Sequence, residues 1–212
     1  MNNNITFLDG ALGTSLLKFI PAGGNIFELN INRPDLVEQL HREYIQAGSE
    51  IILANTFGIN DFSATDTNYT TQELLTSALK IAKSATKGSS TKVALDIGPL
   101  IKLLEPYGDL TYEQCSSVYS NILSIVPLCK PDYIFFETFI DLKMLEIVVQ
   151  LGNQYNIPIL VSMSFLPIGK TIMGNSVEDF ISAMQQYDNI IAVGLNCSDT
   201  PSKLREVVKK EL

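Results

Sequence analysis

Short runs of apolar residues alternate along the chain with longer segments in which apolar and polar residues recur at helical spacing. The apolar runs are rich in Ile, Val, Leu and Phe and mostly lack alternating polar positions, which is typical of strands buried on both faces of a parallel sheet. We therefore predict six strands: Ile5–Leu8, Ile51–Ala54, Lys92–Ile97, Tyr133–Phe136, Ile157–Met163 and Ile190–Leu195.

Amphipathic segments separate these runs, and several begin at a helix-capping sequence. Thr70 and Glu73 have the spacing of a capping box before a predicted helix over Gln72–Thr86, and Thr200-Pro201 supplies a cap and a favoured first-turn proline to the last helix. The other predicted helices are Pro34–Gly48, Tyr112–Cys129, Leu142–Tyr155 and Val177–Gln186. The alternation predicts an α/β fold with a parallel sheet, and we expect one domain over residues 1–212.

Two parallel folds share this order of elements: an open, doubly wound sheet and a (β/α)8 barrel. The first strand-to-helix turn, residues 9–14, reads Asp-Gly-Ala-Leu-Gly-Thr and lacks the glycine spacing of a dinucleotide-binding turn. Polar residues lie at the ends of all six predicted strands: Asp9, Asn55-Thr56, Asp96, Glu137-Thr138, Ser162 with Ser164, and Asn196 to Ser198. In a barrel these ends meet on the face that carries the active site. We therefore predict a (β/α)8 barrel of the TIM type, with about six of its βα units in this chain.

The charge balance narrows the classes of partner. Lys and Arg number 15 against 23 Asp and Glu, for a formal net charge of −8, which disfavours a nucleic-acid or anionic-membrane surface. The three cysteines form no CxxC pair and no disulfide framework. No signal-peptide pattern is visible, and no apolar run approaches a membrane-spanning length. These features predict a cytoplasmic enzyme with a small substrate.

Asp9 and Glu137 are the strongest candidates for a binding site, because each carboxylate ends an apolar strand. A charge in that position is costly unless it meets a cation or hydrogen-bond donors, and a substrate ammonium would satisfy both carboxylates. The alternative for Asp9 is a cap for a helix that begins near Ala11, and the alternative for Glu137 is an ion pair with a neighbouring Lys or Arg. The backbone N–H groups of Gly10 and Ala11 suit a carboxylate, so this set predicts an α-amino-acid site.

Cys197 is the third candidate, because a thiolate at a strand end can act as a nucleophile or bind a metal. The alternative is an inert, buried cysteine, which is the more common case. We interpret Cys115 and Cys129, on the third predicted helix, as packing residues. His41 is the single histidine and lies within a predicted helix, where packing against a neighbouring helix is the simpler interpretation.

Several further motifs occur in an order that is typical of one known family. They are Leu-Asp-Gly-Ala-Leu-Gly-Thr (8–14), Glu-Leu-Asn-Ile (28–31), Pro-Asp-Leu-Val (34–37), His-Arg-Glu-Tyr-Ile (41–45), Asn-Thr-Phe-Gly (55–58), Asp-Ile-Gly-Pro (96–99), Glu-Thr-Phe (137–139) and Gly-Leu-Asn-Cys-Ser (194–198). Together they span nearly the whole chain. The sequence resembles the homocysteine S-methyltransferase family, and within it the N-terminal homocysteine-binding module of cobalamin-dependent methionine synthases.

The resemblance implies a barrel that binds zinc and homocysteine at the carboxyl ends of its strands. Family residues that match Asp9 and Glu137 bind the amino group of the substrate, and backbone N–H groups that match the Gly10-Ala11 turn bind its carboxylate. The motif at residues 194–198 also implies that Asn196 belongs to the substrate site. In the same motif, Cys197 matches one of three zinc-binding cysteines of the family. Zinc ionises the homocysteine thiol, and the thiolate takes a methyl group to give methionine.

The sequence departs from the family pattern at the zinc site. The other two zinc cysteines form an adjacent pair in a Gly-Gly-Cys-Cys-Gly-Thr motif, which these 212 residues do not contain. About two βα units of an eight-unit barrel are also unaccounted for, so we expect a barrel that is incomplete at its C-terminal side. Three interpretations stay open: the homocysteine-activating part of a longer methyltransferase, a split enzyme completed by a second chain, and a non-catalytic remnant that binds an amino acid without zinc.

The methyl donor implied by the nearest resemblance is methylcobalamin, presented by another module or by a partner chain. Betaine or an S-methylated sulfonium serves other relatives and is the alternative. Open strand edges predict a homo-oligomer or a complementing chain that covers them. The expected ligands are therefore homocysteine, zinc and a methyl-donor module, and we expect neither nucleic acid nor membrane as a partner.

Overall fold

The structure is a computed structural model that describes residues 5–20, 24–198 and 200–211. By its internal contacts the chain divides into two compact units. The first consists of Met1–Asp96 with Ser124–Tyr133, and the second consists of Ile97–Leu123 with Ile134–Leu212. The expectation of a single domain stays a prediction, and each unit has its own strands and helices.

The first unit is built from helices around a pair of parallel strands. Its elements in chain order are α1 (Leu12–Leu17), a 3₁₀ turn (Ile26–Glu28), α2 (Leu29–Asn32), α3 (Pro34–Gln46), β1 (Ile51–Leu53), α4 (Asp61–Ala64), α5 (Thr71–Ala85) and β2 (Lys92–Ile97, whose last residue belongs to the second unit), and, after α6 (Tyr112–Leu123) of the second unit, α7 (Val126–Cys129). β1 pairs with β2 in parallel, and α3 packs against α5. Buried aliphatic side chains of the helices form a core cluster that contains Leu16, Leu29, Val37 and Ile81.

The second unit carries the remaining strands. Its elements in chain order are α6 (Tyr112–Leu123), β3 (Tyr133–Phe139, whose first residue belongs to the first unit), α8 (Leu142–Gly152), a 3₁₀ turn (Asn153–Tyr155), β4 (Ile159–Met163), α9 (Val177–Met184), β5 (Ile190–Leu195) and α10 (Pro201–Glu211). β3 pairs with β4 and β4 with β5, both in parallel. α6 packs against α8. The alternation of parallel strands with helices confirms the predicted α/β class.

The first predicted strand is present only as a single parallel bridge, between Leu8 and Ile51. Backbone hydrogen bonds continue it on both sides, from the Asp9 N–H to the Ile51 carbonyl at 3.0 Å and from the Ile51 N–H to the Phe7 carbonyl at 3.2 Å. The prediction of a full strand over Ile5–Leu8 is wrong because the segment buries little apolar surface: Ile5 is 74% exposed and Phe7 61% exposed. Hydrophobic residues alone do not make a strand where nothing covers them.

The predicted helix Tyr112–Cys129 is also wrong as one continuous helix, because α6 ends at Leu123 and α7 begins at Val126. Pro127 occupies the first turn of α7, where its missing N–H has no helical partner to lose. Inside a longer helix the same proline would remove a backbone hydrogen bond and clash with the preceding turn. The chain therefore restarts the helix at the proline.

Helix starts agree closely with the sequence. Thr70 and Glu73 form the predicted capping box at the start of α5, and Ser176 forms another with Asp179 at the start of α9. β3 extends three residues beyond its predicted end at Phe136, through a shift in register. In the described ranges, no helix has both the length and the apolar character that a membrane crossing requires.

Candidate functional site

Polar residues at the strand ends of the first unit are mostly buried and bonded within the protein. The Asn55 Nδ2 donates to the Asn30 Oδ1 at 2.8 Å, and the Asn30 Nδ2 donates to the Asn55 carbonyl at 3.0 Å. The Thr56 hydroxyl donates to the Asp96 carbonyl at 2.7 Å and accepts from the Asp96 N–H at 3.1 Å. These reciprocal bonds connect the segment after β1 to α2 and to β2 and stabilise the unit, so Asn55 and Thr56 offer little to a ligand.

Asp9 connects its turn to β1. Its half-buried carboxylate accepts a hydrogen bond from the Leu53 N–H at 2.9 Å, across 44 positions of sequence. α1 begins at Leu12 and has Ala11 as its N-cap residue. The alternative interpretation of Asp9 as the cap of this helix is therefore wrong. A role for Asp9 toward a substrate stays a prediction.

Gly10 and Ala11 form the exposed turn that follows. A Cβ atom on Gly10 would lie 3.1 Å from the hydroxyl oxygen of Tyr44 and 3.2 Å from a carbon of its ring. The Tyr44 hydroxyl also donates to the Ala11 carbonyl at 3.3 Å. The close approach of this ring accounts for glycine at position 10. The predicted use of the two N–H groups for a carboxylate is untested.

Glu137, Asn196 and Cys197 come together in the second unit, near the carboxyl ends of β3 and β5. The Asn196 Nδ2 donates to the Glu137 Oε2 at 3.2 Å and lies 3.6 Å from the Cys197 Sγ. Glu137 and Asn196 are half-buried and Cys197 is exposed. Three residues that the sequence analysis selected thus form one accessible cluster with a carboxylate, an amide and a thiol.

Two residues that the sequence analysis did not assign to a site complete this cluster. The Ser162 hydroxyl donates to the Asn196 Oδ1 at 2.9 Å, and the Asn196 Nδ2 donates to the Thr138 Oγ1 at 2.7 Å. The Thr138 N–H also donates to the Asn196 Oδ1 at 3.2 Å. Ser162 is 3% exposed. The available signal was a serine inside an apolar strand, because a buried hydroxyl requires a partner.

The backbone of the cluster is unusual at two positions. Thr138 has φ of 61° and Cys197 has φ of 50°, both in the left-handed region that β-branched residues in particular avoid. Such conformations cost on the order of 1–3 kcal/mol each, persist only where the surroundings impose them, and concentrate at active sites and ligand clamps. One is a hydrogen-bond partner of Asn196 and the other follows it in the chain, which supports a functional site here.

Serine side chains hold the loop that carries Cys197. The Ser164 hydroxyl donates to the Cys197 carbonyl at 3.4 Å. The Ser198 hydroxyl accepts from the Phe165 N–H at 2.8 Å and donates to the Asn196 carbonyl at 3.0 Å. The loop after β5 is therefore connected to the chain that follows β4, which positions the thiol beside the amide.

Cys197 could supply one ligand to a metal ion. In the parts of the chain that the structure describes, no three His, Cys, Asp or Glu side chains lie close enough together to hold one. A zinc site takes three or four protein ligands. The described residues therefore do not fit zinc by themselves.

His41 and Cys115 are packing residues, as the sequence analysis interpreted them. Both are fully buried. Burial lowers the pKa of His41 to about 4, and burial, with a smaller contribution from the charge of Asp141, raises the pKa of the Cys115 thiol to about 12. Both groups are therefore neutral near pH 7. Cys129, at the end of α7, is half-buried.

The second unit also has a cavity of about 570 Å³, lined by residues of the segment 104–110, by Tyr112, by residues of α8 and by Tyr187. None of the residues selected from the sequence lines it. The cavity is therefore separate from the cluster around Asn196.

Comparison with known proteins identifies the family of the chain. A family model described as homocysteine S-methyltransferase matches residues 6–211, and the chain belongs to this family of methyltransferases. Two methionine synthases, from Mycobacterium leprae and Mycobacterium tuberculosis, are 27% and 26% identical to it over 219 residues. Each alignment covers 93% of this chain and 18% of the relative. The chain thus spans less than a fifth of the length of these relatives.

A solved structure gives the same fold. The metallated form of the homocysteine methyltransferase MmuM from Escherichia coli matches this chain with a TM-score of 0.84 and 16% sequence identity, over 99% of this chain and 80% of that one. At this identity the likeness concerns the fold alone. It confirms the predicted fold class, a (β/α)8 barrel type represented in part.

Proposed function

We propose that this chain provides the homocysteine-binding part of a homocysteine S-methyltransferase that forms methionine. The observation that carries the proposal is the accessible cluster of Glu137, Asn196 and Cys197, in a chain that belongs to this family. The methionine synthases that it resembles support methionine as the product. We assign the binding of homocysteine to this chain, and the complete reaction to proteins of the full length that these relatives have.

Glu137 is the residue that we assign to the ammonium of homocysteine. Its carboxylate accepts a hydrogen bond from the Asn196 amide at 3.2 Å, which holds one oxygen in a defined position. An ammonium that meets this carboxylate forms a charge-assisted hydrogen bond, about twice as strong as a neutral one. We assign Asp9, Gly10 and Ala11 to the same substrate on the resemblance alone: Asp9 as a second carboxylate, and the two N–H groups for the substrate carboxylate.

Cys197 enters the proposal as one zinc ligand. The described residues do not complete a metal site, and the sequence has no adjacent pair of cysteines to complete it. Zinc binding in this proposal therefore requires further ligands from another segment or another chain.

The proposed methyl donor is methylcobalamin, supported by the similarity to methionine synthases. Formation of methionine with methylcobalamin, and none with betaine or an S-methylated sulfonium, is the expected result when the donors are compared in the complete protein. The proposed location is the cytoplasm, supported by three free cysteines, which are typical of a reducing compartment.

The first experiment is the substitution Glu137→Gln. It keeps the shape of the side chain and removes the charge that faces the ammonium. Because a hydrogen bond to a charged group contributes about 1.5–3 kcal/mol, we expect homocysteine affinity to fall about tenfold to a hundredfold. Isothermal titration calorimetry measures the change, and Glu113→Gln, on exposed α6 surface, serves as the matched control. Equal affinity of both variants would remove Glu137 from the site.

A second candidate function is binding of an amino acid without catalysis. The observation in its favour is that, of the three cysteines that the family uses to bind zinc, this sequence contains only the one that matches Cys197. Metal analysis of the protein purified from its own cells distinguishes the two. About one zinc per chain supports the methyltransferase, and homocysteine binding with no zinc in any complex supports the second candidate.

A further inference from the structure

The side-chain amide of Asn196 has no hydrogen-bonding capacity left for a substrate. An asparagine amide offers two donors and two acceptor positions. Its Oδ1 accepts from the Ser162 hydroxyl at 2.9 Å and from the Thr138 N–H at 3.2 Å. Its Nδ2 donates to the Thr138 Oγ1 at 2.7 Å and to the Glu137 Oε2 at 3.2 Å, and the Cys197 Sγ is a longer third contact.

These partners allow the amide one orientation only. The Thr138 N–H can only donate, so it must face the amide oxygen, and an ionised Glu137 can only accept, so it must face the amide nitrogen. Turning the amide over would set donor against donor and acceptor against acceptor. The direction of the hydrogen bond to Glu137 is therefore determined by groups on β3 and β4, not by a ligand.

Ser162 is the buried end of this network. Its hydroxyl donates to Asn196 and also accepts from the Thr138 N–H at 3.4 Å. Gly194 stands opposite Ser162 in the pairing of β4 with β5, and a Cβ atom on Gly194 would lie 4.0 Å from the Ser162 Cβ. That distance is an ordinary van der Waals contact, so the space beside Ser162 does not by itself require a glycine.

We propose that Ser162 and Thr138 are positioning residues that hold the Asn196 amide in one orientation, and that this amide in turn fixes the Glu137 carboxylate for a substrate ammonium. Asn196 then acts on homocysteine through Glu137 and does not contact it, which revises the assignment made from the sequence. The inference rests on the proposed function, because it takes the ammonium of homocysteine as the partner of Glu137.

The test compares homocysteine with 4-mercaptobutanoate, the same molecule without its amino group. With the 212-residue chain, Ser162→Ala is expected to weaken homocysteine binding about fivefold to tenfold, the loss of one buried hydrogen bond. Binding of 4-mercaptobutanoate is expected to change by less than about twofold, because that ligand has no ammonium for Glu137 to meet. A merely structural defect would weaken both ligands alike, and that result would overturn the proposal.

Three further variants keep the test decisive. Ser162→Thr retains the hydroxyl and is expected to bind homocysteine like the unchanged chain, whereas Thr171→Val removes another buried hydroxyl of the same unit and should leave the preference for homocysteine unaltered. If Ser162→Ala does not fold by circular dichroism, Asn196→Leu removes the donor that faces Glu137 and adds no charge beside the ammonium. It should then abolish the preference over 4-mercaptobutanoate.

The outcomes separate this inference from the proposed function. Selective loss of homocysteine affinity in Glu137→Gln with no loss in Ser162→Ala would overturn the positioning role and leave the proposed function intact. Absence of homocysteine binding by the unchanged chain would overturn both.

Discussion

The two units use the polar residues at their strand ends in opposite ways. In the first unit, Asn55 and Thr56 are less than a tenth exposed and bond to α2 and β2 of the same unit. In the second unit, Glu137 and Asn196 are half-buried and Cys197 is exposed. A buried group whose bonds are complete stabilises the fold, whereas an accessible carboxylate or thiol can exchange water for a ligand.

The difference teaches that a polar residue after an apolar strand is ambiguous until its partners are known. Asp9 and Glu137 look alike in sequence, since both are carboxylates that follow apolar runs. The Asp9 carboxylate accepts from the backbone of β1, but the Glu137 carboxylate accepts from a side chain that is itself oriented by two others. The second arrangement is the one expected of a pre-organised site.

The largest expected effect is on the free energy of unfolding. It tests whether the strand before Glu137 contributes more to stability than the segment before Asp9. Phe136 is fully buried in β3, so Phe136→Ala should lower the free energy of unfolding by about 3–5 kcal/mol. Phe7 is 61% exposed, so Phe7→Ala should cost less than about 0.5 kcal/mol. Urea denaturation followed by circular dichroism measures both. Equal losses would contradict the contrast between the two units.

A smaller effect separates the units by their response to acid. Burial lowers the pKa of His41, in the first unit, from 6.5 to about 4. As the pH falls from 6.5 toward 4, the unfolded chain binds a proton that the folded chain does not, so stability is lost in this window, by up to about 3 kcal/mol.

His41→Leu tests this expectation, because the sequence has no other histidine. The variant is expected to lose less stability than the unchanged chain between pH 7 and pH 4.5. Urea denaturation at both pH values measures the difference. An identical loss in the two proteins would mean that groups other than His41 govern the acid response.

The smallest effect concerns a feature that the units share. A capping box begins α5 in the first unit and α9 in the second. Thr70→Ala and Ser176→Ala should each cost about 1 kcal/mol, because each leaves backbone N–H groups of a first turn without a partner. Thermal denaturation compares them. A loss several times larger in one variant would show that the helix start contributes to tertiary packing in that unit only.

Local signals predicted the parts of the fold that depend on neighbouring residues. The starts of α5 and α9 follow from groups three positions apart, and β2 and β5 have the bounds that their apolar runs predict. The candidate site was predicted in part, because the resemblance selected Glu137, Asn196 and Cys197. It did not select Ser162, whose bond to Asn196 joins residues 34 positions apart.

By itself, the sequence determined the α/β class, the family, the helix caps and the residue types of the candidate site, since these depend on pattern and composition. The tertiary structure decided that Ile5–Leu8 is a bridge and not a strand, that Asp9 bonds to β1 and does not cap α1, and that Asn196 bonds to residues of two other strands. The physical reason is the same in each case. Burial and hydrogen-bond partners are set by segments that are distant in the chain, and local sequence does not specify which distant groups arrive.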